Sequence, residues 1–216
     1  MTWNDIADRV YRTLDEDSGN SHWDKAALID LIKEGELEFV RETEYFRAEQ
    51  TQNLAAQTAQ YDLPDDLIRI ITVKAAGKLL EAKNEAELND IYRLQGLNWD
   101  EIQGEPLYYL VTGNRIRLLP GPNASINNGL KIYYLQFPDQ SQESPSIALS
   151  YQKALVFWGV SAALNEDQAN KEQALFYERL FQRELNYAKK ALNSKDRKSS
   201  FRDNLRYELN AYWKKW

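Results

Sequence analysis

Hydrophobic residues recur at helical spacing near both ends of the chain. Ile6, Val10 and Leu14 are spaced for one face of a first helix, and Thr2 with Asp5 ahead of them fits a capping box. Three further segments show the same periodicity. The pattern therefore predicts four helices in this part of the chain, over about residues 2–14, 21–45, 149–164 and 168–192.

Two positions in the second predicted helix are informative. The helix is predicted to begin at Ser21, because an acidic residue, Asp24, follows three residues later. Gly35 lies in its interior, where glycine costs up to ~1 kcal/mol relative to alanine. We therefore predict that another helix packs closely against Gly35.

The middle of the chain consists of short extended segments separated by turn residues. Residues 68–73 form a β-branched run. Residues 106–111 and 116–119 are predicted to form a hairpin, with a Gly-Asn turn at 113–114. Two further elements are predicted in this region, a last strand and a short helix, over residues 130–137 and 84–94.

The whole pattern predicts an α+β fold. It combines an antiparallel helical bundle of about four long helices with an inserted antiparallel β-strand domain and an extended C-terminal arm. Residues 193–200 contain no apolar residue, which predicts a mobile linker ahead of the arm. The predicted parts are the N-terminal part of the bundle, the β-rich domain with its short helix, the C-terminal part of the bundle and the basic arm, at residues 1–50, 51–140, 141–193 and 194–216.

Composition limits the classes of function. The chain has 216 residues, of which 43% are apolar and 28% charged, enough to bury a core. It has no run of about 18 apolar residues, so no membrane span is expected, and its first residues lack the features of a secretory signal. Cysteine is absent, which excludes disulfides, thiolate metal sites and thiol nucleophiles and suits a reducing cytoplasm.

The candidate catalytic chemistry is sparse. His22 is the single histidine, and its neighbours predict the start of a helix rather than a triad or a metal site. Glycines do not cluster after a strand, so no phosphate-binding loop is predicted. We expect no catalytic residue, no cofactor and no metal. A hydrolytic site stays an alternative, and the acids that it would use are Asp65, Asp66, Glu85 and Glu87.

Two pairs of consecutive tyrosines occur on predicted strands. Neighbouring residues of a strand face opposite sides, so one member of each pair is expected in the core and the other at the surface. A platform for stacking nucleic-acid bases is an alternative, but the surrounding strands are not basic. We therefore predict a protein-contacting role for these residues, which are Tyr108, Tyr109, Tyr133 and Tyr134.

Charge is distributed unevenly along the chain. Residues 195–216 carry seven basic and three acidic residues, a net charge of +4, whereas the preceding 194 residues carry −10. Apolar residues recur in this tail at i, i+4 and i+8, which suits docking into a groove of a partner. Packing on its own domain and lying on a membrane are the alternatives. The arm residues assigned to partner binding are Arg197, Lys198, Phe201, Arg202, Leu205, Arg206, Leu209, Tyr212, Trp213 and Trp216.

Several short motifs follow one another between Trp3 and Leu192. A tryptophan opens the first helix, Tyr-x-Leu-Pro-x-x-Leu precedes Ile-x-x-Ile, Leu-x-Pro-x-Pro precedes Tyr-Tyr-x-x-x-Pro, and Tyr-x-x-Ala-Leu-Val closes the series. The last five motifs lie at residues 61–67, 68–71, 118–122, 133–138 and 151–156. In this order they resemble the head-to-tail adaptor (connector) proteins of tailed bacteriophages, a family of portal-binding rings.

The resemblance implies a structural role in the neck of a virion assembled in the cytoplasm of a bacterial host. It implies a ring of twelve copies under the portal protein, with the tail or nozzle protein on the distal face. Double-stranded DNA would pass through the lumen without specific binding. The arm would grip the portal, and the tyrosine pairs would face the tail or a neighbouring subunit. A small lytic hydrolase and a DNA-binding packaging factor that uses the basic tail are the alternatives.

Overall fold

The chain divides into two compact units. A helical unit comprises Met1–Tyr45 and Pro138–Trp216, and a β unit comprises Phe46–Phe137, so the β unit is inserted in sequence between the two parts of the helical unit. Ser21 and His22 lie outside the described residues. The computed structural model describes residues 1–14, 23–93, 98–99, 101–166 and 170–213.

Five α-helices occur within these ranges, four in the helical unit and one in the β unit. The four are unequal, at 12, 19, 15 and 43 residues, so the expected four long helices are only approximated. In the described part of the chain, no helix is both long and apolar enough to cross a bilayer. The helices are α1 (Trp3–Leu14), α2 (Lys25–Thr43), α3 (Glu85–Arg93), α4 (Gln152–Glu166) and α5 (Lys171–Trp213).

Side-chain caps begin the first two helices. The Asp5 N–H donates to Thr2 Oγ1 at 3.1 Å and the Thr2 N–H donates to Asp5 Oδ2 at 2.7 Å, which confirms the predicted capping box. Asp24 is the N-cap of α2, and its carboxylate accepts a hydrogen bond from the Ala27 N–H at 3.4 Å. The predicted start of this helix at Ser21 is therefore wrong, because the cap lies at the acidic residue itself.

Small residues let α2 and α4 approach each other closely. A Cβ atom at Gly35 would lie 2.5 Å from Cδ1 of Trp158, a distance that no side chain tolerates. A Cβ atom at Gly159 of α4 would likewise lie 3.0 Å from side-chain carbons of Ile32 and Val10. The close helix contact predicted at Gly35 is confirmed, and α4 packs against α1, α2 and α5.

A buried carboxylate ties α2 to the segment that precedes α4. Oε1 of Glu36 accepts hydrogen bonds from the backbone N–H groups of Ser146 at 2.7 Å and Ile147 at 3.1 Å. Glu36 is fully buried, and burial raises the pKa of its carboxyl, while the two N–H groups and Gln140 partly offset that rise. Residues 146–147 are thereby held in place ahead of α4.

Helix α5 is longer than its sequence predicts. It continues without a break from Lys171 to Trp213, so the linker predicted at residues 193–200 is wrong in its secondary structure. Those residues are polar, but none is glycine or proline, and lysine and arginine are good helix formers. The lack of apolar residues was mistaken for a lack of helix.

The β unit contains two four-stranded sheets and one two-stranded sheet, in the orders β1-β10-β3-β4, β2-β8-β7-β5 and β6-β9. Neighbouring strands are mostly antiparallel, as predicted. The strands are β1 (Arg47–Leu54), β2 (Gln60–Asp62), β3 (Leu67–Ala75), β4 (Lys78–Leu79), β5 (Glu81–Ala82), β6 (Gln103–Gly104), β7 (Tyr108–Thr112), β8 (Arg115–Leu119), β9 (Gly121–Pro122) and β10 (Ile126–Gln136).

Two short strand pairs depart from the predicted antiparallel arrangement. β5 pairs with β7, and β6 with β9, in parallel orientation. Parallel neighbours need a crossover of a dozen or more residues. The connection from β5 to β7 contains α3, and the connection from β6 to β9 contains the β7–β8 hairpin, so both provide one.

Two local predictions in the β unit are confirmed. β7 and β8 form the expected hairpin, with Gly113 at φ 59° in its turn. The short helix is α3, which begins with a capping box, because the Glu87 N–H donates to Asn84 Oδ1 at 2.9 Å and the Asn84 N–H donates to Glu87 Oε2 at 2.8 Å. The main core of the unit consists of Leu54, Tyr61, Leu63, Val73, Ala75, Leu80, Ile116, Leu118, Leu130, Ile132 and Tyr134.

Candidate interaction surfaces

Two of the four acids considered for a hydrolytic site, Asp66 and Glu87, form hydrogen bonds that stabilise the local fold. Asp66 accepts hydrogen bonds from the Tyr134 hydroxyl at 3.0 Å and from Gln136 Nε2 at 2.6 Å. Glu87 completes the cap of α3. Within the described ranges, no group of three or more acids and histidines is placed to hold a metal ion. Asp66 and Glu87 therefore have structural roles, and no cluster among the described residues favours a hydrolytic mechanism.

The two tyrosines of β10 have different environments. Tyr134 belongs to the core of the β unit and is 7% exposed. Burial raises the pKa of its phenol, and the hydrogen bond to Asp66 adds to that rise. Tyr133 faces the opposite side of the sheet and is partly exposed. A partner of this strand would therefore contact Tyr133 rather than Tyr134.

Tyr133 lies in a polar network on the outer face of the first sheet. Lys131 Nζ is 2.7 Å from Glu49 Oε1 across the β1–β10 pair, and Lys74 Nζ lies 5.5 Å from the centroid of the Tyr133 ring. The hydrogen bond with Lys131 lowers the pKa of Glu49, and the same bond raises the pKa of Lys131. An open groove of about 490 Å³ runs beside this network, lined by Arg47, Ala48, Glu49, Ile71, Thr72, Lys74 and Tyr133.

The two tyrosines of β7 pack on opposite sides of their sheet. Tyr109 is partly buried against the main core, and burial raises the pKa of its phenol. Tyr108 is partly buried against a smaller cluster that includes Leu88 and Tyr92 of α3. Each side of this sheet is thus covered at β7. Both tyrosines pack within the β unit, so less of each ring is accessible to a partner than the predicted interface role assumed.

Other apolar residues of the β unit are more exposed than these tyrosines. Leu79 is 67% exposed and Leu107 is 50% exposed, and both border a shallow groove with Glu81 and Tyr108. These leucines were not predicted as surface residues, because each looks like an ordinary strand residue in the sequence. The turn before Leu79 was the available signal. Gly77 has φ 81° in that turn, and a residue directly after a tight turn lies near the exposed end of a hairpin.

Helix α5 has a buried face and an exposed apolar face. Its buried face consists of Ala174, Phe181, Leu185 and Ala188. Phe176 and Tyr187 lie on the other side and are 54% and 59% exposed. They share one face of the helix, because residues 11 apart differ by only about 20° at 100° per residue. The sequence predicts this helix but does not show which of its aromatic residues lie outside the bundle.

The predicted partner-binding arm lies in the continuation of α5. Residues 197–213 are helical, and the side chains from residue 194 onward lie outside the described part of the structure, as does Trp216. The assignment of the ten arm residues to a partner therefore stays a prediction. What the structure adds is their secondary structure, one helix that is continuous with the bundle.

Comparisons with known proteins identify the family of the chain. No curated protein matches the chain. The model of the family described as SU10 adaptor protein matches residues 1–206, which includes both units and most of α5. The match agrees with the resemblance inferred from the ordered motifs, and it supports a structural rather than an enzymatic role. The chain therefore belongs to the SU10 adaptor protein family, and its role is that of a structural adaptor of a bacteriophage.

Proposed function

We propose that this adaptor links the portal protein of the phage head to the tail or nozzle by forming a ring of identical copies, with a central channel for DNA. The observation that carries the proposal is the family match over residues 1–206. Twelve copies, the number implied by the resemblance, would match the symmetry of a portal ring. The protein would lie in the virion neck, between the two components that it joins.

The far part of α5 is suited to contact the portal. At 1.5 Å per residue, a helix of 43 residues is about 65 Å long. Among its described side chains Leu192 is the last that is half-buried, so the helix continues for roughly 30 Å beyond its described packing in the bundle. Residues 195–216 carry a net charge of +4, which favours an acidic groove on the portal. Many arms engaged at once would add avidity.

The charge of the remaining chain is consistent with a channel. Residues 1–194 carry a net charge of −10, and a wall of that sign repels DNA phosphates weakly and leaves the DNA free to slide. A basic wall would instead retain DNA through phosphate contacts. We assign the tail-facing or neighbour-facing role in the β unit to Tyr133, because its ring is accessible beside the open groove.

The test is the mass of the purified chain by light scattering, alone and with the portal protein of the same genome. The full chain is expected to form a large complex of defined mass with the portal. A chain that ends at Ser194 retains the buried face of α5 and is expected to stay separate. Unchanged binding by the shortened chain would refute the arm assignment, and failure of the full chain to bind would refute the adaptor proposal.

A matched variant separates charge from length. Replacing Arg197, Lys198, Arg202 and Arg206 with glutamine keeps good helix formers but removes four positive charges. We expect this variant to bind the portal more weakly and with less dependence on salt. The DNA-binding alternative predicts a different result for the full chain without portal, namely binding to double-stranded DNA that weakens steeply as salt rises.

A further inference from the structure

The outer face of α5 combines aromatic and basic residues. Phe176, Arg183, Tyr187 and Lys190 share one side of the helix at i, i+7, i+11 and i+14, and all four are exposed. Arg179 lies beside them. We call these five residues the α5 row. This row is on the opposite side of the helix from Phe181, Leu185 and Ala188, which are buried in the bundle.

The aromatic part of the α5 row continues onto α4. The ring of Phe176 packs at 5.4 Å from that of Tyr177, and Tyr177 packs at 6.3 Å from Phe157 of α4. Lys153 Nζ lies 5.2 Å from the centroid of Phe157. This surface is therefore both apolar and cationic over two helices. A partner that covers it needs apolar contact and negative charge.

Helix α2 presents the complementary charge. Asp30, Glu34 and Glu38 recur at i, i+4 and i+8 on the side away from the buried residues of α2, where the basic residue Arg41 lies near them. We call the three acids the α2 row. In the described part of the chain, none of the three forms an ion pair. Leu37 is partly exposed beside them and offers apolar contact.

Two of the three basic residues of the α5 row likewise lack an ion pair in the described part of the chain. Arg179 and Lys190 have no ion-pair partner among the described side chains. Arg183 is within 3.5 Å of Glu184, but both side chains are accessible to water, and such pairs are weak. By contrast, Lys189 and Glu42 already join α5 to α2 within one chain, at 2.6 Å. The two rows lie outside that internal contact.

We propose that the α5 row of one copy packs against the α2 row of the next copy. The inference rests on the proposed ring, and it names the surfaces that build it. The two rows are different patches of opposite charge, so the contact between copies is head-to-tail. Each copy carries both rows and can therefore bind one neighbour on each side. A head-to-tail contact is the kind that closes into a ring when its rotation permits.

The absence of cysteine from the chain makes a direct test available. Glu34→Cys and Arg183→Cys are made in separate chains, mixed in equal amounts with the portal protein of the same genome, and oxidised gently. Denaturing electrophoresis without reductant is expected to show a dimer in the mixture and none with either variant alone. One chain carrying both substitutions is expected to give a ladder of multimers, because every contact then provides a pair of thiols.

The control uses Glu178→Cys in place of Arg183→Cys. Glu178 is exposed on the same helix, but five residues of α-helix place it about 140° away from residue 183. It should not cross-link to Glu34→Cys. A ring of full mass without the 34–183 dimer would overturn this inference and leave the adaptor proposal standing. Dimers formed by one variant alone would overturn it in favour of a symmetric contact.

A charge exchange provides a second measurement that needs no cross-link. Glu34→Arg and Arg183→Glu are each expected to raise the chain concentration needed for assembly on the portal by roughly three- to tenfold. The chain carrying both exchanges is expected to recover, because each contact again joins opposite charges. No recovery in a correctly folded double variant would contradict the pairing. No portal-dependent assembly of the unmodified chain would overturn both proposals.

Discussion

Glu36 in the helical unit and Glu49 in the β unit are both carboxylates with hydrogen-bond partners, but their surroundings are opposite. Glu36 is fully buried and is held by two backbone N–H groups, and burial raises its pKa. Glu49 lies on an open sheet face, where the bond to Lys131 lowers its pKa. The helical unit thus uses a carboxylate as an internal tie, whereas the β unit neutralises its surface charges locally.

That contrast extends to the surfaces of the two units. The outer face of the first sheet pairs its own charges, as in Lys131 with Glu49, and places Lys74 over Tyr133. The outer rows of α2 and α5 leave several charges unpaired in the described part of the chain. A surface whose charges are already paired gains less electrostatic binding energy from a partner than a surface with unpaired charges. The comparison favours the helical unit as the main assembly surface.

The largest effect on stability is expected at the tight helix contact. Gly35→Val would force Trp158 away from α2, because even a Cβ atom would lie 2.5 Å from its ring. We expect a loss of about 1–3 kcal/mol in the free energy of unfolding, measured by circular dichroism during thermal or denaturant unfolding. Glu34→Val is the control, since it introduces the same side chain at an exposed neighbouring position, where valine costs only a small loss of helix propensity. Equal losses in both variants would contradict the packing argument.

In the β unit, the two adjacent tyrosines of β10 are expected to differ. Tyr134→Phe removes the hydroxyl that donates to Asp66 at 3.0 Å in a largely buried site, which should cost about 1–2 kcal/mol. Tyr133→Phe should change stability much less, because its side chain is accessible to water. Unfolding monitored by near-ultraviolet circular dichroism compares them. A larger loss for Tyr133→Phe would reverse the assignment of core and surface.

Glu36 should make the helical unit less stable as pH rises. Its folded-state pKa is raised above the ordinary value of 4.5, so its contribution is fully present below that value and is lost as pH rises through the folded pKa. Glu36→Gln keeps an acceptor for the two N–H groups and does not titrate. The melting temperature of this variant relative to the natural chain should therefore increase by a few degrees between pH 4 and pH 7. A constant difference over this range would contradict the assignment.

Glu49 should show a smaller effect of the opposite sign. Its folded-state pKa is lowered, so its contribution is present above 4.5 and is lost as pH falls through the folded pKa. Glu49→Gln should lower the melting temperature slightly at pH 7, and the difference should vanish in acid and shrink in high salt. Melting curves at two pH values and two salt concentrations test this. A salt-independent loss would indicate a role other than charge pairing.

Local signals in the sequence predicted much of the fold. The Thr2–Asp5 cap, the β7–β8 hairpin, the short helix α3 and the close contact at Gly35 each depend on a few neighbouring residues. β1 was predicted poorly, because its residues are mostly polar and show no alternation of apolar side chains. Its place in the sheet is decided by pairing with β10, which is distant in sequence.

The candidate surfaces were predicted less well than the fold. Consecutive tyrosines drew attention to β7 and β10, but sequence alone did not tell that both sides of the β7 sheet are covered. The α5 row was missed, because a helix with apolar residues on two sides gives no single periodic stripe. Deciding which side faces the core required the positions of α4 and α2.

Because α5 is one continuous helix, its arm is mechanically connected to the bundle. No glycine or proline interrupts the helix between Lys171 and Trp213, so the bundle and the arm lack the usual causes of a hinge between them. A tilt of about 5° at Ala188 would displace the far end of the helix by on the order of 3 Å. A force applied to the far end of the helix would therefore act on the packing contacts of Phe181 and Leu185 in the bundle.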